Sequence, residues 1–225
     1  MKSTVSVIEK VATTRRRVGG LVAVGLAAGL LGGCASALVD NEPQLYRLTP
    51  ASTFTASLPK VGWQLEVDTP AAAAGIDTGR IALRDTPTNL DYFAGVSWTD
   101  RAPQMVQGLL VESFENSGRI VAVGRDTAGL RPDCVLKTEL RDFQAEYPGD
   151  RARLPRLHVR LSAKLIAMPR RTIEASETFE ATVDAPSARF GDIIAAWDRA
   201  MNQVLRQTVE WTLTRPVSSS GRTTS

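Results

Sequence analysis

Polar and apolar residues alternate along much of the segment from Gln44 to Asp184, which is the period of a strand with one buried face. The clearest run is 156–165. Its apolar positions are Leu157, Val159, Leu161, Ala163 and Leu165. The intervening positions are Arg156, His158, Arg160, Ser162 and Lys164. This run predicts a strand whose second face contacts water.

The residues that follow predict that this strand is half of a long antiparallel hairpin. Met168 to Arg171 has the composition of a turn, with proline at its second position. Alternation resumes afterwards, at the apolar positions Ile173, Ala175, Phe179, Ala181 and Val183. Two earlier runs, Trp63 to Val67 and Leu90 to Trp98, have the same period and predict two more strands.

Two segments have the helical period instead. The first is 102–117, which Gly118 is expected to end. Its apolar stripe consists of Met105, Val106, Leu109, Leu110 and Phe114. The second is a longer helix from Ser187, its predicted N-cap, to about Leu213. Its stripe consists of Phe190, Ile193, Ile194, Trp197, Met201, Val204, Leu205 and Trp211. We interpret this stripe as facing a sheet, and a partner or subunit interface on a second face of the helix is the alternative.

Together these elements predict an α+β fold, in which a mixed, largely antiparallel β-sheet packs with two main helices. A three-layer α/β-type sandwich is the alternative. The chain has 225 residues, which is enough for one domain with a sizeable core.

The N-terminal residues have the pattern of an export signal. Five basic residues and one acidic residue precede an uncharged apolar stretch from Val18 to Leu38. Within it, Leu31-Gly32-Gly33-Cys34 resembles a lipobox, in which an aliphatic and two small residues precede a cysteine that becomes lipidated. We therefore predict that Cys34 carries lipid. An uncleaved anchor is the alternative, because the stretch has about the length of a membrane span.

The lipobox divides the chain into four parts. Residues 1–33 form the signal peptide, 34–45 the lipidated N-terminus and short tether, 46–214 the folded domain, and 215–225 a disordered tail. At about 3.5 Å per residue, the tether from Ala35 to Leu45 extends roughly 40 Å at most. The folded domain is therefore expected to stay near its membrane.

Removal of the signal changes the charge of the protein. The whole chain has 27 basic and 24 acidic residues and a pI of about 9.1. Without the five basic residues and one acidic residue of the signal, the formal net charge is −1. Because nucleic-acid binding depends on a basic surface, the mature protein is not expected to bind nucleic acid.

Few residues of the chain suit catalysis or metal binding. His158 is the only histidine, and alternation places it on the polar strand face, where we expect it to be solvated. The sequence contains no CxxC, HExxH or GxxxxGK[ST] pattern. Cys134 shares a predicted strand face with Leu136 and Leu140. We interpret it as a buried structural thiol without a disulfide partner, and catalysis is the alternative. These features predict a protein that is not an enzyme and has no metal or cofactor.

A basic run from Arg151 to Arg171 is the candidate binding surface. It contains no acidic residue, and Arg156, Arg160 and Lys164 are expected to share the polar face of the strand. These three are the candidate contacts to an acidic partner or to anionic lipid head groups. The alternative, which we favour, is neutralisation by the returning strand. Its acidic residues on that face are Glu174, Glu180 and Asp184.

Several short motifs occur in one order along the chain. After Cys34 come Tyr46-Arg47-Leu48, Asp77 to Ala82, Leu90 to Phe93, Trp98 with Asp100 and Pro103, and Leu140 to Phe143, before the long C-terminal helix. In this order they resemble the ABC-type transport auxiliary lipoprotein family. That family includes the lipoprotein partner of the paraquat-inducible MCE (mammalian cell entry) system. The resemblance extends from about Cys34 to Leu213.

The resemblance implies a non-catalytic periplasmic component of an ABC-type lipid transport system, with a mixed sheet packed with helices. It also implies an MCE-domain protein as partner and attachment to the outer membrane through the N-terminal lipid. Ala35 follows the cysteine where an aspartate would favour the inner membrane, which is the alternative location. The alternative function is a stand-alone periplasmic ligand-binding or enzymatic lipoprotein, and self-association is left open.

Overall fold

Nine strands and two helices form the part of the chain that the computed structural model describes, namely residues 42–126, 129, 131–147, 149 and 153–216. The strands are β1 (Gln44–Tyr46), β2 (Val61–Val67), β3 (Ala71–Ala72), β4 (Arg80–Arg84), β5 (Asp91–Trp98), β6 (Ile120–Arg125), β7 (Cys134–Glu146), β8 (Arg156–Ala167) and β9 (Thr172–Asp184). The helices are α1 (Ala102–Ser117) and α2 (Phe190–Thr214). Within these residues, neither helix is long and apolar enough to cross a membrane. The predicted signal peptide, Cys34, Arg151 and most of the predicted tail lie outside the described residues.

The thirteen-residue strand β7 organises the sheet, because it pairs along both of its sides. On one side it pairs in parallel with β2, β3 and β4, and on the other it pairs antiparallel with β8. Beyond these strands, β6 follows β2, β5 and then β1 follow β4, and β9 follows β8. The sheet is therefore mixed, and its two longest ladders, β7–β8 and β8–β9, are antiparallel. The predicted α+β fold with a mixed sheet and two main helices is confirmed.

Strands β8 and β9 form the predicted hairpin, and residues 168–171 make the turn between them. The five apolar residues of the β8 run are fully buried, as is expected from their alternation. In β9, Phe179 is buried as predicted. The prediction for Ile173 is wrong. The register shifts at Glu174, which has no partner on β8, and Ile173 is left 55% exposed.

The strand predicted from Leu90 to Trp98 begins one residue later, as β5, and is interrupted by a bulge. Gly95 lies there with a φ of 69°, a left-handed conformation that glycine adopts without a steric penalty. The alternating positions of this run are Leu90, Tyr92, Ala94, Val96 and Trp98. Only Trp98 is buried, and Leu90 and Ala94 are exposed. The prediction that these positions share one regular face is therefore wrong.

The ends of the two helices differ in how well the sequence predicts them. Helix α1 has the predicted bounds, and Gly118 ends it in the left-handed conformation, with a φ of 59°. Helix α2 begins at Phe190, so Ser187 is not its N-cap, which corrects the prediction. The Ser187 hydroxyl instead donates a hydrogen bond to the Asp192 carboxylate and accepts one from the Arg189 N–H (3.1 Å). The charge of this carboxylate in the first turn compensates the exposed N–H groups of the helix.

Both helices pack against the same face of the sheet and form the core with it. Trp197, in the middle of α2, is fully buried, and its ring centroid lies 5.0 Å from that of Trp98 and 5.2 Å from that of Phe143. Further along α2, the ring of Trp211 lies 5.7 Å from that of Phe179 in β9. The predicted stripe of α2 therefore faces the sheet. The described residues form two layers and not the alternative three.

Candidate functional site

The open face of the sheet, defined here as the face opposite both helices, carries the basic residues that the sequence analysis selected. Arg156, Arg160 and Lys164 of β8 all lie on it, as alternation predicts. Side chains of β4, β7 and β9 project from the same face and surround them. The predicted lipid attachment residue, Cys34, lies outside the described residues and stays a prediction.

Strand β7 brings acidic residues to the open face through a change of register. Arg141 has no partner on β8, because the pairing shifts at this position. The polar residues that project to the open face after this bulge are Asp142, Gln144 and Glu146. None of these three residues was predicted from the sequence. A signal was present, since Cys134, Leu136 and Leu140 before Arg141 are even-numbered, whereas the apolar residues after it, Phe143 and Ala145, are odd-numbered.

Asp142 is a buried carboxylate at the centre of this face. It accepts hydrogen bonds from Arg160 Nε and Gln144 Nε2 (3.0 Å), and it lies 3.9 Å from the Arg84 guanidinium. Burial raises the pKa of Asp142, but the hydrogen bonds from Gln144 and Arg160, together with nearby positive charge, outweigh burial and leave the pKa below its usual value. The carboxylate is therefore charged at neutral pH and links β7 to β8 through Arg160.

The structure corrects the prediction that His158 is solvated. Only 14% of its side chain is exposed, because glutamates from two neighbouring strands flank the ring. Nδ1 lies 2.8 Å from Glu146 Oε1 of β7, and Nε2 lies 2.7 Å from Glu180 Oε1 of β9. A neutral imidazole donates at only one nitrogen, so the protonated ring is the form that donates to both carboxylates. Alternation placed the ring on the correct face and could not show these two carboxylates.

Glu146 connects this histidine to β4. Its Oε1 contacts His158 and accepts hydrogen bonds from Gln144 Nε2 (3.0 Å) and the Arg84 guanidinium. Burial raises the pKa of Glu146, but the hydrogen bonds from His158 and Gln144 and the charge of Arg84 together hold it below its usual value. One network of charged and polar side chains therefore joins β4, β7, β8 and β9 on the open face.

Carboxylates neutralise part of the predicted basic surface. Arg156 Nε donates to the Asp184 carboxylate of β9 at 3.1 Å, and both side chains are exposed. Arg160 is bonded to Asp142. Lys164 has no carboxylate within 4.0 Å among the described residues. The open face is thus a surface of alternating charge, and a role of these three basic residues in partner binding stays a prediction.

The three acidic residues expected to neutralise this surface do so unequally. Asp184 pairs with Arg156, and Glu180 contacts His158. Glu174 lies at the register shift of β9 and forms no ion pair within the described part of the chain, which corrects the prediction for that residue. The pairing of Arg160 with a residue of β7 was not foreseen.

Cys134 is buried, as predicted, and is a free thiol in the described part of the chain. Burial and the charges of Asp133 and Glu174 raise the pKa of its thiol to about 12. Such a thiol is protonated at neutral pH and is unsuited to nucleophilic catalysis. The residues that the structure describes also contain no group of three or more His, Cys, Asp or Glu side chains that could hold a metal ion.

Two clefts in the described part of the chain are small. One, of about 150 Å³, lies beside the charged network between residues 84–87, the Glu146 end of β7, and Arg156. The other, of about 240 Å³, lies against α1 and is lined by Arg47, Gln104 and Arg125 among others. Pockets that hold drug-sized ligands have volumes of roughly 300–1,000 Å³. Both clefts are smaller than such pockets.

The family model for the ABC-type transport auxiliary lipoprotein component matches residues 44–209 of this chain. The match includes all nine strands, α1 and most of α2. The chain belongs to this family. The resemblance carried by the ordered sequence motifs is thereby confirmed, and membership of the auxiliary lipoprotein family describes the folded unit as a whole.

Relatives of known structure have the same fold. Protein XCC0632 from Xanthomonas campestris is 35% identical, and the comparison covers 76% of this chain and 94% of that protein, with a TM-score of 0.71. A second crystal structure, of an uncharacterized protein, covers 76% of this chain and 99% of its own with a TM-score of 0.60. At 11% identity, that likeness shows the fold alone.

A curated relative is considerably longer than the matched region. Protein bll6063 of Bradyrhizobium diazoefficiens is 27% identical to this chain over 168 residues. The match covers 72% of this chain and 41% of that protein. The chain therefore spans less than half the length of this relative.

Proposed function

We propose that this protein is a lipid-anchored, non-catalytic component of an ABC-type lipid transport system and binds an MCE-domain protein of that system at the outer membrane. Membership of the auxiliary lipoprotein family carries the proposal, because the match extends over residues 44–209 and thus over nearly the whole folded unit. A component of this kind acts through its contacts with the other parts of the transporter.

The architecture supports a role in protein binding. Both described helices lie on one face of the sheet, so the exposed side chains of the open face, including Arg156, Lys164 and Asp184, are available to another protein. The buried Cys134 thiol is a poor nucleophile, and both nitrogens of His158 already contact carboxylates, which makes this ring a poor general base. These features favour binding over catalysis.

Cys34 is proposed to hold this folded unit to the membrane. Strand β1 begins at Gln44, so nine residues separate the cysteine from the sheet. At about 3.5 Å per residue, this segment extends roughly 35 Å at most. A tether of this length keeps the domain beside the membrane, and Ala35 favours the outer membrane over the inner membrane.

Cys34→Ser tests the anchor. The serine hydroxyl cannot form the thioether to diacylglyceryl, so the variant should accumulate as an unlabelled precursor when cells are grown with a palmitate analogue. Cys134→Ser is the matched control and should be labelled and processed like the wild type. Labelling of Cys34→Ser at the wild-type level would contradict lipidation at this residue.

Affinity purification from membranes tests the partner. The tagged, lipidated protein should recover an MCE-domain protein and transporter subunits, identified by mass spectrometry, and an unrelated tagged lipoprotein should not. Failure of the wild-type protein to recover an MCE-domain protein contradicts the proposed function.

Charge reversal then tests the basic residues of the open face. Arg156→Glu combined with Lys164→Glu is informative, because Arg160 bonds the buried Asp142 and its replacement would destabilise the fold. The control is Arg141→Glu, which reverses an exposed charge of β7 at the bulge. If the double variant loses the MCE-domain protein and the control variant does not, the contact lies on β8. If both variants recover it equally, Arg156 and Lys164 are excluded as contacts and the partner hypothesis stands.

A further inference from the structure

Strand β9 forms a long edge of the sheet. It pairs with β8 along its length and with no other strand of the described chain. Phe179 and Ala181 on its inner face are buried, and the Phe179 ring packs against Trp211 of α2. Helix α2 therefore covers the inner face of the strand and leaves its edge free. The exposed residues in the middle of the strand are Ser176, Glu177, Thr178, Glu180 and Thr182.

The register shows which backbone groups of β9 point outward. The Ala185 N–H donates to the Pro155 carbonyl (2.9 Å), and the pairing continues without a shift as far as Leu165 and Ala175. In an antiparallel pair, residues that exchange hydrogen bonds alternate with residues that do not. The odd-numbered residues of β9 from 175 to 183 therefore bond to β8. The N–H and C=O groups that point to the free edge are those of Ser176, Thr178, Glu180 and Thr182.

One of these outward donors is capped by its neighbour. The Thr178 N–H donates to Oε1 of Glu177 at 3.1 Å, which agrees with its assignment to the free edge. Glu177 is exposed and forms no ion pair with the residues that the structure describes. Its carboxylate can therefore leave the edge when the carbonyl of another strand replaces it as the acceptor.

The free edge is also acidic. Strand β9 carries four carboxylates and no lysine, arginine or histidine. Two of them, Glu180 and Asp184, contact side chains of β8, whereas Glu174 and Glu177 form no ion pair within the described segments. A strand that pairs here meets uncompensated negative charge, so basic side chains on it are favoured.

We propose that the free edge of β9 binds an extended segment of the partner protein as an additional strand, and that basic side chains of this segment pair with Glu174 and Glu177. The inference rests on the proposed function and adds to it the place and the chemistry of the contact. Backbone hydrogen bonds with the outward residues supply affinity, and the carboxylates select a basic segment.

The β9 strand of a second copy of this chain is a poor occupant of the edge. If two β9 strands paired with each other, the carboxylates of one copy would meet those of the other with no cation on either strand. Like charges on paired strands destabilise the pairing. The charge of β9 therefore disfavours pairing of β9 with itself and favours a strand of different composition.

Thr178→Pro in the mature, lipidated chain in detergent is the central test. Proline removes one outward N–H and leaves the ladder to β8 intact, because Thr178 does not bond to β8, and proline is tolerated on strand edges. Thr178→Val keeps the N–H and the branched side chain and is the matched control. Glu174→Lys combined with Glu177→Lys tests the charge without altering the backbone, and circular dichroism shows whether each variant folds.

The probe is a synthetic ten-residue peptide in which lysine alternates with valine and threonine, and its control has glutamate in place of lysine. We expect the lysine peptide to slow amide hydrogen exchange at the four outward residues of β9. Exchange at the odd-numbered residues should change little, because their amides are already bonded to β8. Its affinity should fall by at least about tenfold, or 1.4 kcal/mol, in Thr178→Pro and in the lysine double variant, and should not change in Thr178→Val.

Two results of the exchange experiment overturn the proposal. The first is unchanged exchange at the outward amides when the lysine peptide is present. The second is exchange at these amides that slows with the concentration of the chain itself, without peptide, because this assigns the edge to a second copy.

Amide exchange at the outward residues of β9 also distinguishes a failure of this inference from a failure of the proposed function. The exchange experiment is repeated with the periplasmic domain of the MCE-domain protein recovered from membranes. If the MCE-domain protein binds while the outward amides still exchange freely, the inference is wrong and the proposed function stands. Peptide binding at the edge without any association of an MCE-domain protein supports β9 as a strand acceptor and contradicts the proposed function.

Discussion

The buried carboxylate of Asp142 is expected to stabilise the fold more than an exposed carboxylate of the same strand, and Asp142→Asn measures the difference. The substitution keeps the shape of the side chain and removes its charge. In the folded protein, Arg160 and Gln144 donate hydrogen bonds to the carboxylate, and the Arg84 guanidinium lies 3.9 Å away. An amide cannot satisfy all of these donors, because one of its own two groups is a donor.

The surroundings of Asp142 set the expected magnitude. A hydrogen bond to a charged group contributes about 1.5–3 kcal/mol, and breaking a fully buried ion pair costs about 3–5 kcal/mol. The side chains of Arg160 and Arg84 are 40% and 29% exposed, so both regain contact with water when the carboxylate is replaced. We therefore expect Asp142→Asn to lower the free energy of unfolding at pH 7 by ~2 kcal/mol.

Glu139→Gln is the matched control for this change. Glu139 lies on the same strand and pairs with Arg141 at 2.9 Å, but 55% and 41% of the two side chains are exposed. Exposed pairs of this kind contribute little, so the control should cost less than about 1 kcal/mol. Urea unfolding followed by tryptophan fluorescence measures the free energy of unfolding of both variants.

The pH dependence shows whether the charge of Asp142 is responsible. The pKa of Asp142 is lower in the folded protein than its usual value, so the charged form stabilises the fold above about pH 4. This contribution is lost as the pH falls through the folded pKa, whereas asparagine does not titrate. The difference between wild type and Asp142→Asn should be constant between about pH 5 and 7 and should shrink below about pH 4.

Two outcomes would refute this reasoning. If Asp142→Asn and Glu139→Gln had equal effects at pH 7, the buried network would contribute no more than an exposed ion pair. If the effect of Asp142→Asn stayed the same down to the acid unfolding of the protein, its origin would be packing and not charge.

Two further predictions concern the core. Trp197→Ala should lower the free energy of unfolding by about 3–5 kcal/mol, because the ring is fully buried between α2 and the sheet, whereas Ile173→Ala at an exposed position should change it by less than about 0.5 kcal/mol. Urea unfolding measures both, and a larger effect of Ile173→Ala would contradict the facing of these elements. The Cys134 thiol, with a pKa of about 12, should react with iodoacetamide at pH 8 only in urea, as mass spectrometry would show. Reaction in the native state at the rate of the unfolded chain would contradict its burial.

The sequence by itself determined the elements whose signals are local. Helix α1 has the predicted bounds, because an apolar stripe and a glycine at its end are sufficient to define a helix. The β8–β9 hairpin was predicted for a similar reason, since alternation on both sides of a short turn leaves few other pairings. The family could also be recognised, because ordered motifs along the chain do not depend on contacts.

Small irregularities were harder to predict. The bulges at Gly95 and Arg141 and the register shift at Glu174 each change which residues face the core. The late start of α2 leaves Ser187 outside the helix. A single additional residue in a strand reverses every following side chain, so a local error in register becomes an error in which residues are exposed.

Only the tertiary structure decided which distant strands are neighbours, and therefore the chemistry of the open face. The alternation of apolar and polar residues in a strand indicates which residues are buried, but it does not indicate which strand lies beside it. Arg84 of β4 comes next to Asp142 of β7 because these strands pair in parallel across a long connection. His158 is enclosed because β7 and β9 each contribute a glutamate beside it. The free edge of β9 is likewise a property of the strand order, since it exists only because no described strand pairs beyond it.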